Sequence, residues 1–331
     1  MQATATSAIA VDGLKKQFGD VLAVDGVTFD VREGEVFGFL GPNGAGKTTT
    51  INMLTGLARP DAGRIGFFDQ DETTDVKKAQ RLMGIVPDES NLWPEFNGFE
   101  NLCFCGALYG MNRGEREERA RELLETFDLT SAAQRGFGGY SKGMKRKLAI
   151  AAGIIHRPRV LFLDEPTTGI DVASARQIRQ MLAALNKSGT TLFLTTHYIE
   201  EAERLCDRIG FIVEGRLVRV DTLPNLVSEV EGQRVVQLAL SNEISDIFDE
   251  LHSAFPDVDF EILSGNLVRA HTDEALALAP LIRFFEGHGV DVTEARVIRP
   301  SLEDVFVRIT GVALERMREE KEQGKGNGGG A

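Results

Sequence analysis

The stretch Gly41-Pro42-Asn43-Gly44-Ala45-Gly46-Lys47-Thr48-Thr49 decides how the rest of this chain is read. It follows the apolar run Val36-Phe37-Gly38-Phe39-Leu40 and precedes the helix-compatible run Thr50-Ile51-Asn52-Met53-Leu54. Strand, loop and helix in that order are the setting in which G-x-x-x-x-G-K-[ST] has physical meaning. Glycines at 41, 44 and 46 let the loop curl into a concave nest of backbone N–H groups. The helix that follows directs its partly positive N-terminus into the same nest. In that geometry Lys47 reaches the β- and γ-phosphates of a nucleotide, and the Thr48 hydroxyl ligates Mg²⁺.

A second strand complements the first. Arg159-Val160-Leu161-Phe162-Leu163-Asp164-Glu165-Pro166 reads as a buried strand ending in two carboxylates. Parallel strands present active-site groups at their C-terminal ends. Asp164 is suited to hold Mg²⁺ through water, and Glu165 to orient or deprotonate an attacking water. Between the two strands, Gly138-Gly139-Tyr140-Ser141-Lys142-Gly143-Met144-Lys145 opens a helix with Ser141 as its N-cap. Glycines before a helix N-terminus make a second potential phosphate site or, equally, a plain capped helix. Thr167-Thr168-Gly169-Ile170-Asp171 precedes an amphipathic helix over 172–187. The run 190–196 reads as another buried strand, ending at His197. A His just past a strand end can contact a γ-phosphate or serve the fold.

Upstream of the loop, residues 8–31 carry β-type runs separated by Gly19-Asp20, which predicts a short antiparallel sheet. Phe18, just before that turn, is a candidate aromatic face for adenine or a plain core residue. Downstream, a strand is predicted at 64–68, a short helix at 76–82 and a buried strand at Met83-Gly84-Ile85-Val86. Helical spacing from about 95 to 135 predicts a helical insertion, in which the charged run Arg113 to Arg121 is a solvated face. Residues 211–213 and 217–220 read as two strands joined by a tight turn.

A boundary is expected near 221–233. Beyond it the predicted order is strand 234–240, helix 243–255, strands 258–263 and 266–271, helix 273–287, strand 290–298 and helix 301–310. That β-α-β-β-α-β order is that of a ferredoxin-like sandwich. It carries no catalytic constellation, so docking or dimerisation suits it better than chemistry. Residues 313–323 are a charged helix candidate, and 324–331 are a glycine-rich segment expected to be disordered.

Composition bounds the rest. At 331 residues, 42% apolar and 26% charged, the chain has room for two globular domains. A net charge of −13 argues against a nucleic-acid partner, which needs a basic face. Cys103, Cys105 and Cys206 make neither a disulfide framework nor a zinc spacing. No run of about 18 apolar residues exists to span a bilayer, and the N-terminus lacks the features of a secretory signal. A cytoplasmic protein is expected.

Taken together, these motifs resemble the nucleotide-binding subunit of ABC transporters over about residues 8–220. Residues 41–48 are similar to Walker A, Val160–Asp164 with Glu165 to Walker B and its catalytic glutamate, and Tyr140–Met144 to the family signature. Thr168–Asp171 is similar to the D-loop, His197 to the switch histidine, and Phe18 to the adenine-stacking position. The resemblance implies an α/β P-loop cassette with antiparallel and helical subdomains, ATP and Mg²⁺ as cofactors, and hydrolysis at sites shared across a homodimer. In each site one protomer offers residues 41–49, Phe18, Asp164, Glu165 and His197, with Lys47 on the phosphates. The other offers Ser141, Lys142, Gly143 and Met144, and Asp171 belongs to the D-loop. Arg299-Pro300-Ser301-Leu302-Glu303-Asp304-Val305-Phe306 resembles the ATPase subunits of ABC-2-type exporters, which work with a separately encoded membrane permease. That implies a peripheral position on the cytoplasmic face of the membrane.

Two departures stand out. Lys142 takes the place of the first signature glycine, and Pro87-Asp88-Glu89 stands where the family usually has the Q-loop glutamine. An acid at 88 can meet Mg²⁺ through water, so altered metal geometry and coupling are expected rather than lost activity. Two rival readings are a soluble ABC-type ATPase acting on ribosomes or DNA, and a nucleotide-gated module without useful turnover. The first predicts two cassettes or a long coiled-coil insertion, and neither is present. Glu165 and His197 argue against the second.

Overall fold

The structure, a computed structural model, describes residues 7–68, 70–71, 76–228, 234–272, 278–298 and 301–311. The expected tail elements beyond 311, the start of the helix predicted from 273, and Arg299-Pro300 lie outside these. The chain divides into two compact units, the second beginning at Leu223.

The first unit opens with three strands, β1 (Ser7–Phe18), β2 (Val21–Arg32) and β3 (Val36–Leu40). Helix α1 (Lys47–Leu54) is followed by β4 (Ala62–Phe67), the two-residue β5 (Gln70–Asp71), α2 (Val76–Ala79) and β6 (Met83–Val86). The helical insertion holds α3 (Gly98–Leu108), α4 (Arg113–Thr126) and α5 (Lys142–Gly153). The unit closes with β7 (Val160–Asp164), α6 (Val172–Lys187), β8 (Thr191–Thr196), α7 (Ile199–Leu205), β9 (Arg208–Val213) and β10 (Arg216–Thr222).

Two sheets result. One is antiparallel, in the order β2-β1-β4-β5. The other has the order β10-β9-β3-β8-β7-β6 and is parallel except for the β10–β9 hairpin. Strands β3, β7 and β8 are buried at every residue, which explains their unbroken apolar runs. The two sheets meet through aromatic rings. Phe29 of β2 stacks on Phe37 of β3 at 5.4 Å and lies 5.9 Å from Phe193 of β8. Such pairs add about 0.5–1.5 kcal/mol each beyond the area they bury.

The helical insertion is capped at each start. Asn97 and Glu100 form a reciprocal capping box on α3, and Asn112 caps α4. Each cap stabilises by about 1 kcal/mol. The charged run lies on α4, where Arg113 and Arg121 both reach Glu117 on an exposed face.

The second unit contains α8 (Leu223–Ser228), β11 (Arg234–Leu240), α9 (Phe248–Ala254), β12 (Asp259–Ser264), β13 (Leu267–Thr272), α10 (Leu278–Gly287), β14 (Val292–Ile298) and α11 (Leu302–Thr310). Its four strands are antiparallel in the order β12-β13-β11-β14. Leu238, Val268, Leu281 and Phe285 build its own core. The single helix expected over 243–255 is instead a 3-10 turn at 245–247 followed by α9, which has no side-chain cap.

Candidate functional site

The loop after β3 wraps around the Lys47 side chain. Gly46 has φ +101°, and a Cβ there would lie 2.4 Å from Ala23 O, so only glycine suits the position. Lys47 Nζ donates to Gly41 O at 2.7 Å and Pro42 O at 3.1 Å, and lies 3.4 Å from Glu165 Oε1. The ammonium is thereby held at the centre of the loop that α1 leaves.

Two neighbouring parallel strands bring the carboxylates to this loop. Asp164 is the last residue of β7. Thr48 Oγ1 donates to Asp164 Oδ2 at 2.9 Å, and Thr195 Oγ1, from β8, donates to Asp164 Oδ1. Glu165 follows with φ +49°, a left-handed conformation that few non-glycine residues adopt. Its N–H donates to Thr195 O at 3.1 Å. The turn aims its carboxylate back over the loop. There Oε1 faces Lys47, while Oε2 accepts from Thr168 Oγ1 at 3.0 Å and lies 2.8 Å from His197 Nδ1. An ionised carboxylate only accepts, so Nδ1 carries the proton in that contact. Burial alone raises the Glu165 carboxyl. The His197 hydrogen bond, the Lys47 charge and the Thr168 hydroxyl outweigh it and hold the group below the ordinary carboxylate range. Glu165 is therefore a carboxylate at neutral pH.

Ser141 caps α5 by accepting from Met144 N at 3.2 Å. Ser141 and Lys142 are exposed, Met144 is half-buried, and Gly143 is buried. A Cβ on Gly143 would lie 2.5 Å from Ser174 Oγ on α6, so this glycine lets α5 and α6 approach. Asp171 caps α6 through Ser174 N at 2.9 Å. Phe18 lies at the end of β1, 53% exposed, with Lys16 Nζ 5.3 Å from its ring centre. Among the residues singled out from the sequence, Lys47, Thr48, Asp164, Glu165 and His197 converge within one hydrogen-bonded cluster.

Asp88 follows β6 and meets a partner on α5. Its carboxylate lies 3.2 Å from Arg146 Nη2 on α5. Burial raises its pKa more than Arg146 lowers it, and the Glu165 and Asp164 charges add to the rise. Two residues the sequence reading did not single out belong to the site, Arg146 and Thr195, and Thr168, read as the start of the D-loop, reaches Glu165. The buried hydroxyl of Thr195, one residue before the end of β8, carried only the general signal that a buried polar group needs a partner. Arg146 carried none.

A strand-loop-helix phosphate cradle, a carboxylate pair at the end of the parallel strand β7 and a histidine after β8 bonded to one of them define a P-loop ATPase cassette. A family model described as ABC transporter matches residues 24–168. A linearmycin resistance ATP-binding protein of Bacillus subtilis (strain 168) is 37% identical over 311 residues, covering 92% of this chain and 99% of that protein. A daunorubicin resistance ATP-binding protein of Streptomyces coeruleorubidus is 37% identical, with 93% of this chain and 97% of the relative covered. A Nod factor export ATP-binding protein I of Burkholderia lata is 39% identical, covering 91% and 96%. Among solved structures, an ATP-binding cassette determined as a post-hydrolysis dimer with ADP and Pi superimposes with a TM-score of 0.60 at 27% identity, covering 65% of this chain and 98% of that one. The chain belongs to the ATP-binding subunits of the ABC transporter family. It is an ATP-binding protein and an ATPase.

Proposed function

We propose that this chain powers export, hydrolysing ATP as a homodimer seated on a separately encoded ABC-2-type membrane permease. The observation that carries the hydrolytic part is Glu165, held as a carboxylate between Lys47 at 3.4 Å and His197 at 2.8 Å. The relatives named for linearmycin resistance, daunorubicin resistance and Nod factor export support the direction. No described helix is long and apolar enough to cross a membrane, which suits a subunit held on the cytoplasmic face by its permease.

Lys47 binds the β- and γ-phosphates, leaving its carbonyl partners Gly41 and Pro42 for a stronger charge. The backbone N–H groups over Gly41–Thr49, including those of Asn43, Gly44 and Ala45, cradle the phosphate oxygens. Phe18, exposed at the end of β1, stacks on the adenine. Glu165 takes the proton of the attacking water, and His197 holds the carboxylate in place and faces the γ-phosphate. The exposed Ser141 and the N-terminus of α5 close the partner protomer's site, where fixed dipoles meet charge that develops on the γ-phosphoryl.

Magnesium fits the residues present. Thr48 Oγ1 and Asp164 Oδ2 are hard oxygen donors 2.9 Å apart beside the phosphate loop, a donor set Mg²⁺ accepts together with water and phosphate. When bound, the ion neutralises charge on the β- and γ-phosphates.

Glu165→Gln tests the reading. The variant should bind ATP, turn over at least about a hundredfold more slowly, and elute as an ATP-dependent dimer in size-exclusion chromatography. Wild-type turnover in Glu165→Gln overturns the assignment of the base.

A further inference from the structure

The guanidinium of Arg146 joins three segments that lie far apart in sequence. It is 7% exposed. Nη1 donates to Pro87 O at 2.6 Å. Nη2 donates to Asp88 O at 2.7 Å, and lies 3.2 Å from both Asp88 Oδ1 and Glu165 O. Arg146 belongs to α5, the helix capped by Ser141. Pro87 and Asp88 follow β6, and Glu165 follows β7. One side chain therefore ties the signature helix to the ends of two core strands.

The bond to Glu165 bears on chemistry because of that residue's backbone. Its left-handed conformation turns the carboxylate toward Lys47 and His197. The Glu165 carbonyl accepts from Thr168 N at 3.2 Å and from Arg146. Removing the guanidinium frees one side of the turn that aims the carboxylate.

Charge explains the unusual residue at 88. Backbone carbonyls satisfy N–H donors but bring no formal charge, and a buried guanidinium needs a counter-ion. Asp88 supplies one at 3.2 Å. A glutamine in that position would offer a hydrogen bond but no charge, leaving only the Asp164 and Glu201 carboxylates to offset the guanidinium. The acid at 88 and the arginine at 146 are thus a matched pair.

We propose that Arg146 is a positioning residue for hydrolysis, setting the Glu165 turn from the signature helix, with Asp88 as its counter-ion. The proposal rests on the reading of Glu165 as the base. It gives the Asp88 carboxylate a protein partner at 3.2 Å.

A double-mutant cycle on the full-length chain tests it, with steady-state phosphate release as the readout. Asp88→Asn and Arg146→Gln should each lower kcat about tenfold, with KM for ATP changed by less than about threefold. The double variant should be no slower than the slower single one, because the two residues act as a unit. Arg146→Lys should not restore kcat, since one ammonium lacks the planar fork that reaches both strand ends. Multiplicative losses in the double variant, a loss confined to KM, or full activity in Arg146→Lys overturns the proposal. Asp88→Asn changes a half-exposed side chain and leaves every backbone acceptor intact. If Arg146→Gln does not fold, wild-type kcat in Asp88→Asn alone overturns the proposal. A slow Glu165→Gln variant alongside an additive cycle rejects this inference and leaves the base assignment standing. A fast Glu165→Gln variant rejects the base assignment itself.

Discussion

Thr195 holds both carboxylate residues with two of its own groups. Its hydroxyl donates to Asp164 Oδ1, and its carbonyl accepts from Glu165 N at 3.1 Å. Thr195→Val keeps the shape and the backbone bond but removes the donor to Asp164. Chemical denaturation should register a loss of about 1.5–3 kcal/mol, the range for a hydrogen bond to a charged group. Phosphate release should fall as well, because Asp164 loses its orientation toward Thr48. At this scale the sequence was legible wherever chemistry restricts residue type. The lysine after Gly46, the hydroxyl at 48 and the acids at 164 and 165 stand out because few other side chains do those jobs. Thr195 and Arg146 escaped notice for the opposite reason. Threonine is common in strands and arginine on helices, and their partners lie 31 and 58 residues away. Asp88 was visible as a departure from the usual glutamine, but its partner was not.

Elements show the same division. Strands β3, β7 and β8 announce themselves as continuous apolar runs because both faces are covered. The split of residues 243–255 into a turn and α9 has no such signal, since Ile247, Phe248 and Leu251 suit either arrangement. The packing of the helical insertion against β6 carries a titratable group the sequence did not flag. His156, three residues after α5, stacks on Tyr109 at 3.4 Å between ring centres, and its Nε2 donates to Met83 O at 2.8 Å. Its buried Nδ1 has no partner among the described residues, so a second proton there would have no acceptor. Burial pushes the ring from its ordinary 6.5 down to about 4. The unfolded chain therefore binds a proton near pH 6.5 that the folded chain refuses until about pH 4. This contribution to stability is fully present above pH 6.5 and declines as pH falls through that window. Urea denaturation from pH 7 to 4 should show a shallower decline for His156→Gln than for the wild type.

Across the whole first unit, the two strands that carry the phosphate chemistry are not neighbours. The order β10-β9-β3-β8-β7-β6 inserts β8 between β3, which precedes the phosphate loop, and β7, which ends at Asp164. Both sheet partners of β3, β8 and β9, come after every motif but His197 in the chain. A truncated chain ending at Lys187 would retain the phosphate loop, Ser141–Met144 and both carboxylates, yet leave β3 unpaired on both sides. It should fail to bind ATP in a fluorescent-nucleotide titration, whereas a chain ending at Ser228 should bind it. Nucleotide binding by the shorter chain would show that the loop forms without its sheet.

The same strand order has a consequence in time. Synthesis proceeds from the N-terminus at roughly 5–20 residues per second. Strand β3 ends at Leu40 and β8 begins at Thr191, so the first strand of the nucleotide site waits roughly 8–30 s for its first partner to be made. Throughout that interval Val36–Leu40 is an apolar strand with two open edges, the kind of segment that aggregates or recruits a chaperone. A ribosome that stalls between Asp171 and Thr191 therefore releases a chain with every nucleotide-binding motif but His197 spelled out and no partner for the strand that leads into the phosphate loop.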